Sequence, residues 1–167
     1  MHRRLGVIAV VLAVIMVPLG YASAMAMARR GFDLSGDLNL KGGDLLYELV
    51  FPLGDLVTFA VLVPAGLWLR RKPMIHKRLM LLGTIGSMMP APLAHFIGHN
   101  FKSTPGIIVP MLAVLFLSPA AYDRIRIGRF QPISLWVGVL IFLWANVRAA
   151  ILGPSEIWHH FARWLIG

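Results

Sequence analysis

The chain has 167 residues, no cysteine and a formal net charge of +9, and 58% of its residues are apolar against 14% charged. Soluble domains carry roughly 25% charged residues, so the composition excludes an ordinary soluble domain. The lack of cysteine excludes a disulfide framework, a thiolate metal site and a cysteine nucleophile. The cations lie at the ends of apolar stretches, which is typical of lipid headgroup contacts, so we expect no nucleic-acid partner.

Five apolar stretches follow one another along the chain and are separated by short connections. A bilayer core needs roughly 20 helical residues, and only the fourth stretch is shorter than that requirement. The stretches are residues 5–28, 45–69, 79–99, 106–122 and 131–152. The sequence therefore predicts an all-α membrane protein, a single domain over 1–167 built as a bundle of about five transmembrane helices in a lipid bilayer.

The first stretch also has the features of a secretory signal. Arg3 and Arg4 precede an apolar run, and Ala22-Ser23-Ala24 supplies the small residues of a cleavage site. The apolar residues continue past that site to Ala28, so we expect residues 1–24 to be retained as part of the first helix instead of being cleaved.

The Lys and Arg residues are divided unequally between the two sides of the predicted bundle. Ten lie before the first stretch or in the second and fourth connections, whereas five lie on the opposite side, and Arg148 lies within the fifth stretch. Cytoplasmic connections carry the excess of cations, so we expect a cytoplasmic N-terminus. Five spans then place the C-terminus outside a bacterial-type inner membrane.

A weak internal repeat joins the first and third stretches. At an offset of 74 residues, His2-Arg-Arg-Leu aligns with His76-Lys-Arg-Leu, and Pro18-Leu aligns with Pro92-Leu. Each segment starts a helix that leaves the cytoplasm and is followed by a returning helix. This pattern is typical of two parallel two-helix repeats, to which a fifth helix is added.

Three short segments in the middle of the chain resemble one family. They are residues 51–59 (Phe-Pro-Leu-Gly-Asp-Leu-Val-Thr-Phe), 69–73 (Leu-Arg-Arg-Lys-Pro) and 76–84 (His-Lys-Arg-Leu-Met-Leu-Leu-Gly-Thr). They are similar to a family of small uncharacterised bacterial polytopic membrane proteins, most specifically in the His-Lys-Arg-Leu-Met-Leu-Leu segment. The resemblance implies a helical membrane fold and no chemistry. Members often have Arg where this chain has His95, so the resemblance assigns no role to His95.

Several polar residues lie within the predicted spans, where an ionisable side chain costs roughly 2.5–3.5 kcal/mol and therefore faces the bundle interior. Counting about 1.5 Å per residue from the cytoplasmic end places four of them in one layer of the outer half of the membrane and two nearer the outer interface. The layer contains Asp55, His95, Asn146 and Arg148, and the interface contains Glu48 and His99.

Two helices carry these residues on one face each. Asp44, Glu48 and Asp55 share a side of the second helix, and His95 and His99 share a side of the third. Prolines lie beside both faces, and the carbonyls that a proline frees in a membrane need polar partners or water. These prolines are Pro52, Pro90 and Pro92. The pattern predicts an outward-facing polar cavity within the membrane.

The cavity favours an integral inner-membrane protein of transport or accessory type, without enzymatic activity, that works alone, as a homo-oligomer or beside other membrane subunits. An ion pair of Asp55 or Glu48 with Arg148 that only joins helices explains the same residues. The alternative function is a redox or metal-binding protein, in which His95 and His99 bind a transition metal from one helix face. Haem b needs histidines from two different segments, because one helix face cannot supply both axial ligands.

The C-terminal segment 155–166 has a different pattern from the five stretches. Its apolar residues recur at helical spacing, and Ser155 is placed to cap a helix. The sequence predicts a short amphipathic helix that lies on the outer membrane surface.

Overall fold

A computed structural model describes residues 2–30, 44–100 and 105–167, without the side chains of residues 2–5, 94–95, 98–100 and 105. Every regular element in these ranges is helical, so the predicted all-α class is confirmed. The elements are α1 (His2–Arg30), α2 (Leu45–Glu48), α3 (Val50–Trp68), α4 (Pro73–Met88), α5 (Pro90–Asn100), α6 (Pro105–Ile127), α7 (Pro132–Val147) and α8 (Glu156–Ile166). A 3-10 turn at Leu69–Arg71 joins α3 to α4, and a π-helical turn at Arg148–Leu152 continues α7.

Four helical segments in the described residues are long and apolar enough to cross a membrane, which is consistent with a multi-pass membrane protein. They are Gly6–Arg30, Leu45–Arg71, Gly106–Ile127 and Pro132–Leu152. These segments correspond to the first, second, fourth and fifth predicted stretches. The fourth stretch, which the sequence leaves short, is 22 residues long in the structure.

The third predicted stretch differs from the expectation of one helix over 79–99. The helix α4 begins at Pro73, where proline suits a first helical position, and α5 begins at Pro90 after a break at Met89. The cause of the break is local, because Pro90 and Pro92 have no N–H to donate to the preceding turn. The five-span count and the repeat stay predictions.

A proline also interrupts the second predicted stretch near its start. Pro52 cannot donate a backbone hydrogen bond to the carbonyl of Glu48, and α2 is separated from α3 at Leu49. Leu49 keeps a right-handed helical conformation and its N–H bonds to Leu45 O at 3.2 Å. The chain therefore passes from α2 into α3 within one continuous span-length helical segment, Leu45–Arg71.

A central core joins α4, α6 and α7. Its buried side chains are Leu82, Phe116, Ile141 and Ala145. The helices α6 and α7 approach closely where Gly138 faces Phe116, since a Cβ at Gly138 would lie 2.5 Å from Phe116 O. The lack of a side chain at this crossing is thus what permits the contact.

The helix α1 lies at the side of this bundle. Among its described side chains the buried ones, Ala24, Met25 and Ala28, all lie in the last third, whereas Val7 and Val14 earlier in the helix are exposed. An apolar helix exposed along most of its length is typical of a lipid-facing position.

The helix α8 packs across the ends of α1 and α2. Ser155 caps it as predicted, since its Oγ accepts from Trp158 N at 3.2 Å. Trp158 is buried and its Nε1 donates to Leu46 O at 2.7 Å. The opposite apolar edge of α8, formed by Ile157, Phe161 and Trp164, is exposed. One apolar edge thus docks on the bundle and the other is left to the surroundings.

Candidate polar groove

A buried ion pair joins the start of α3 to the end of α7. Arg148 Nη2 donates to Asp55 Oδ1, and Nη1 donates to Phe51 O at 3.0 Å. Arg148 is 3% exposed and Asp55 is 9% exposed. The Arg148 guanidinium also lies 5.9 Å from the centre of the Phe51 ring. The charge of Asp55 is therefore neutralised inside the bundle.

Two local features make room for Arg148. Gly54 has no side chain, and a Cβ there would lie 2.8 Å from Arg148 Cδ. The π-helical turn begins at Arg148, and such turns in α-helices are frequent at functional sites. The turn frees the carbonyl of Ala149, which accepts from Tyr47 Oη at 3.1 Å. Tyr47 in α2 and Asp55 in α3 thus both form hydrogen bonds with residues of the π-helical turn.

An open groove of about 450 Å³ lies between α1, α3 and the α4–α5 break. Its volume is within the range of roughly 300–1,000 Å³ that small-molecule sites occupy. Most of its surface is apolar, with four polar or charged residues and one proline among the lining residues. The lining residues are Met16, Gly20, Ser23, Ala24, Met27, Glu48, Phe51, Pro52, Asp55, Leu56, Phe59, Ser87, Met88 and Ala91.

Glu48 gives the groove its negative charge. It lies seven residues before Asp55, so the two carboxylates share a helix face and both line the groove. Glu48 is half-buried, and within the described residues its carboxylate has no hydrogen bond or ion pair. Since Arg148 neutralises Asp55, the three charged groups together carry one net negative charge.

The other predicted site residues are placed differently. Asn146 is half-buried and donates from Nδ2 to Phe142 O at 2.7 Å, within its own helix. Arg148 and Asn146 are not among the residues that line the groove. His95 and His99 lie in α5, but their side chains are outside the described residues. Among the residues the structure describes, no group of three or more metal-ligand side chains is found, and the histidine metal site stays a prediction.

Asp44 does not share the groove face with Glu48 and Asp55, which corrects the predicted stripe. It caps α2 by accepting from Leu46 N at 3.0 Å, and its Oδ2 lies 2.6 Å from His159 Nε2 on α8. The reason is that Asp44 precedes the helix, so helical spacing does not set its direction.

His159 and Asp44 shift each other's ionisation. Hydrogen bonds with the Ser155 carbonyl and then with Asp44 raise the pKa of His159 from its ordinary value of 6.5. The hydrogen bond from His159 lowers the pKa of Asp44 from its ordinary value of 3.8, and the N–H groups of Leu46 and Tyr47 act in the same direction. The pair therefore favours a charged histidine and a charged carboxylate.

A second buried ion pair was not predicted from the sequence. Arg78 Nη2 donates to Asp123 Oδ1 at 2.6 Å, and Arg78 Nε donates to Ser134 Oγ at 2.9 Å. The charge pattern predicts a cytoplasmic connection for Arg78, whereas in the structure it is a buried residue of α4. The sequence feature that points to this pair is Asp123, which is the single acidic residue between Asp55 and Glu156 and lies in a segment rich in arginine.

Comparison of the chain with protein-family models, curated proteins and solved structures finds no significant match. The functional interpretation therefore depends on the geometry of the groove.

Proposed function

We propose that this chain is an integral inner-membrane protein of transport or accessory type that binds a small solute in the groove between α1, α3 and the α4–α5 break. The observation that carries the proposal is the pair of carboxylates that line the groove, of which Asp55 is paired with Arg148 whereas Glu48 has no ionic partner among the described residues. An unpaired carboxylate among apolar helices is costly in a membrane, and such residues mark ligand or ion pathways.

The break between α4 and α5 supports a groove that can change shape. Ser87 and Met88 at the end of α4 and Ala91 at the start of α5 all line it. Broken helices in membranes are tolerated where they line a protein-buried or water-filled cavity, and substrate sites of transporters are typically built around them. The same break and Glu48 both border the groove.

The proposed topology has five spans, with α4 and α5 together forming the third. The α4–α5 pair, Pro73–Asn100, extends roughly 40 Å at 1.5 Å per residue, which exceeds a bilayer core of about 30 Å. With the N-terminus in the cytoplasm, the carboxylate end of the groove lies in the outer half of the membrane and opens to the outside.

Cysteine labelling tests this proposal, because the chain has no native cysteine. Ser23 lines the groove, whereas its neighbour Ala22 lies at the same depth, is exposed and does not line the groove. We expect a small membrane-impermeant thiol reagent, added to intact cells, to label Ser23→Cys and Ser87→Cys but not Ala22→Cys, since a thiolate forms only where water reaches it. Protection of both groove positions would overturn the outward-open groove.

A further inference from the structure

The groove has the composition of a site for a lipophilic cation. Two aromatic rings, Phe51 and Phe59, form part of its wall, and aromatic faces attract cations, most strongly where water is excluded. Its three methionines are flexible and polarisable, and such residues suit ligands of varied shape. The methionines are Met16, Met27 and Met88.

The charge of the site is complementary to a single positive charge. Arg148 donates to Asp55 and to Phe51 O, and it forms no ion pair with Glu48 in the described part of the chain. Glu48 lines the same groove and has no ionic partner among the described residues. A ligand that brings one positive charge would complete the neutralisation, and a buried or half-buried charge pair is stronger in low-dielectric surroundings.

From these observations we propose that the groove binds a monovalent lipophilic organic cation, with Glu48 as its counter-charge and with Phe51, Phe59 and the methionines around its apolar body. This inference rests on the proposed function, in that both need the groove to be accessible. An inorganic ion is not favoured, because hard cations need several oxygen ligands. Four side chains of the groove carry oxygen, and one of them, Asp55, is already paired with Arg148.

The decisive probes are tetraphenylphosphonium and tetraphenylborate, which have the same four phenyl groups and opposite charge. Binding is measured by calorimetry on the purified full-length chain in an uncharged detergent, with empty micelles as the blank. We expect tetraphenylphosphonium to bind and tetraphenylborate to bind at least tenfold more weakly. Equal binding of the two ions, or tighter binding of the borate, would overturn the inference.

Two groove variants and one matched control locate the binding. Glu48→Gln removes the charge at nearly constant volume, so we expect it to weaken tetraphenylphosphonium binding at least tenfold. Glu156→Gln, at the exposed start of α8 and outside the groove, is the matched control and should bind like the native chain. Ser23→Phe, which fills the groove without changing charge, should also weaken binding. Unchanged affinity in Glu48→Gln would refute the assignment.

The outcomes separate this inference from the proposed function. Labelling of Ser23→Cys with no cation binding leaves the water-accessible groove in place and refutes the ligand class. Protection of both groove cysteines refutes the proposed function, and cation binding that is then insensitive to Glu48→Gln refutes the inference as well. If Glu48→Gln fails to fold, the comparison of the two tetraphenyl ions on the native chain still decides.

Discussion

Arg148 is the residue on which the groove wall depends. Its guanidinium is held by Asp55 and by the carbonyl of Phe51, and its Nε is a buried nitrogen without a hydrogen-bond partner in the described part of the chain. Taking two charges out of water is costly, so the pair is not evidence for high stability in itself. The pair instead favours one arrangement of the helices. Each charge is tolerable only in the presence of the other, so α3 and α7 are held in the register that brings Asp55 to Arg148.

The first prediction is that Asp55 and Arg148 are energetically coupled. Asp55→Asn leaves the Arg148 charge buried and unpaired, and Arg148→Gln does the same to Asp55, so we expect each to destabilise the protein by about 3–5 kcal/mol. The double variant leaves no buried charge without a partner. Its loss in free energy of unfolding should therefore be clearly smaller than the sum of the two single losses. The free energy of unfolding of the four proteins in one detergent measures this coupling.

A crossed pair provides the control for that cycle. Arg78 belongs to the other ion pair, with Asp123, so Asp55→Asn and Arg78→Gln share no partner. Their effects should add to within about 0.5 kcal/mol. Additivity of Asp55→Asn with Arg148→Gln, at the level of the crossed pair, would contradict the coupling.

These two ion pairs differ in how far the sequence predicts them. Asp55 and Arg148 lie inside apolar stretches, and counting residues from the cytoplasmic end places them in one layer of the membrane, so the pairing is among the expected alternatives. Arg78 and Asp123 lie where an apolar stretch meets a basic connection, and there a cation equally well marks orientation. Only the packing of α4 against α6 and α7 shows that Arg78 is buried.

At the scale of elements, α8 is joined to α2 by a hydrogen-bonded histidine. His159 Nδ1 lies 2.8 Å from Ser155 O and Nε2 lies 2.6 Å from Asp44 Oδ2. Both partners are acceptors only, so both ring nitrogens must carry a proton for both bonds to form. The hydrogen bonds to Ser155 O and to Asp44 raise the pKa of His159, and they outweigh desolvation of the ring and the Arg163 charge on the same helix, which act in the opposite direction.

The second prediction is that the docking of α8 depends on pH. Because the pKa of His159 is raised from 6.5, its contribution is complete below pH 6.5 and is lost as the pH rises through the folded-state value. Because the pKa of Asp44 is lowered from 3.8, its contribution is complete above pH 3.8 and is lost as the pH falls through the folded-state value. We therefore expect docking to be strongest between pH 3.8 and 6.5.

Hydrogen exchange of the α8 amides measures this effect, with Asp44→Asn as the matched comparison. Asparagine still caps α2 but carries no charge, so it removes the ion pair and keeps the helix start. Comparing the same amides in the two proteins at each pH cancels the intrinsic pH dependence of exchange. At pH 5.5 we expect the α8 amides to exchange more slowly in the native chain than in Asp44→Asn. Once His159 is neutral, we expect the two proteins to exchange at the same rate. An advantage that is constant up to pH 9 would exclude the histidine as the cause.

Element boundaries show where local sequence suffices. Ser155 and the apolar spacing after it predict α8 and its cap, because both signals are local. The break at Met89 also has a local cause in Pro90 and Pro92, yet prolines inside α1, α3 and α6 interrupt no helix there. Which proline divides a membrane helix depends on whether its neighbours supply partners for the freed carbonyls, and that is a property of the packed bundle.

On the scale of the whole molecule, the two ion pairs lie near opposite ends of the bundle. Asp55 and Arg148 are near the start of α3 and the end of α7, whereas Arg78 is near the start of α4 and Asp123 near the end of α6. The order and extent of the apolar stretches could be predicted because length and hydropathy alone set them. The groove could not be located in detail, because it arises between α1 and elements distant in sequence.

The last prediction concerns the number of spans and the orientation. If α4 and α5 together cross the membrane, the chain has five spans and its two ends lie on opposite sides; if only the four long helices cross, both ends lie on the same side. Even with buried Arg78 left out, nine cations on the N-terminal side face five on the other, which favours a cytoplasmic N-terminus. We therefore expect an alkaline phosphatase fusion at Gly167 to be active, and a fusion in the turn at Leu69–Arg71 to be inactive. Activity confined to the turn fusion would invert the orientation, whereas inactivity at both positions would show that α4 and α5 do not form a span.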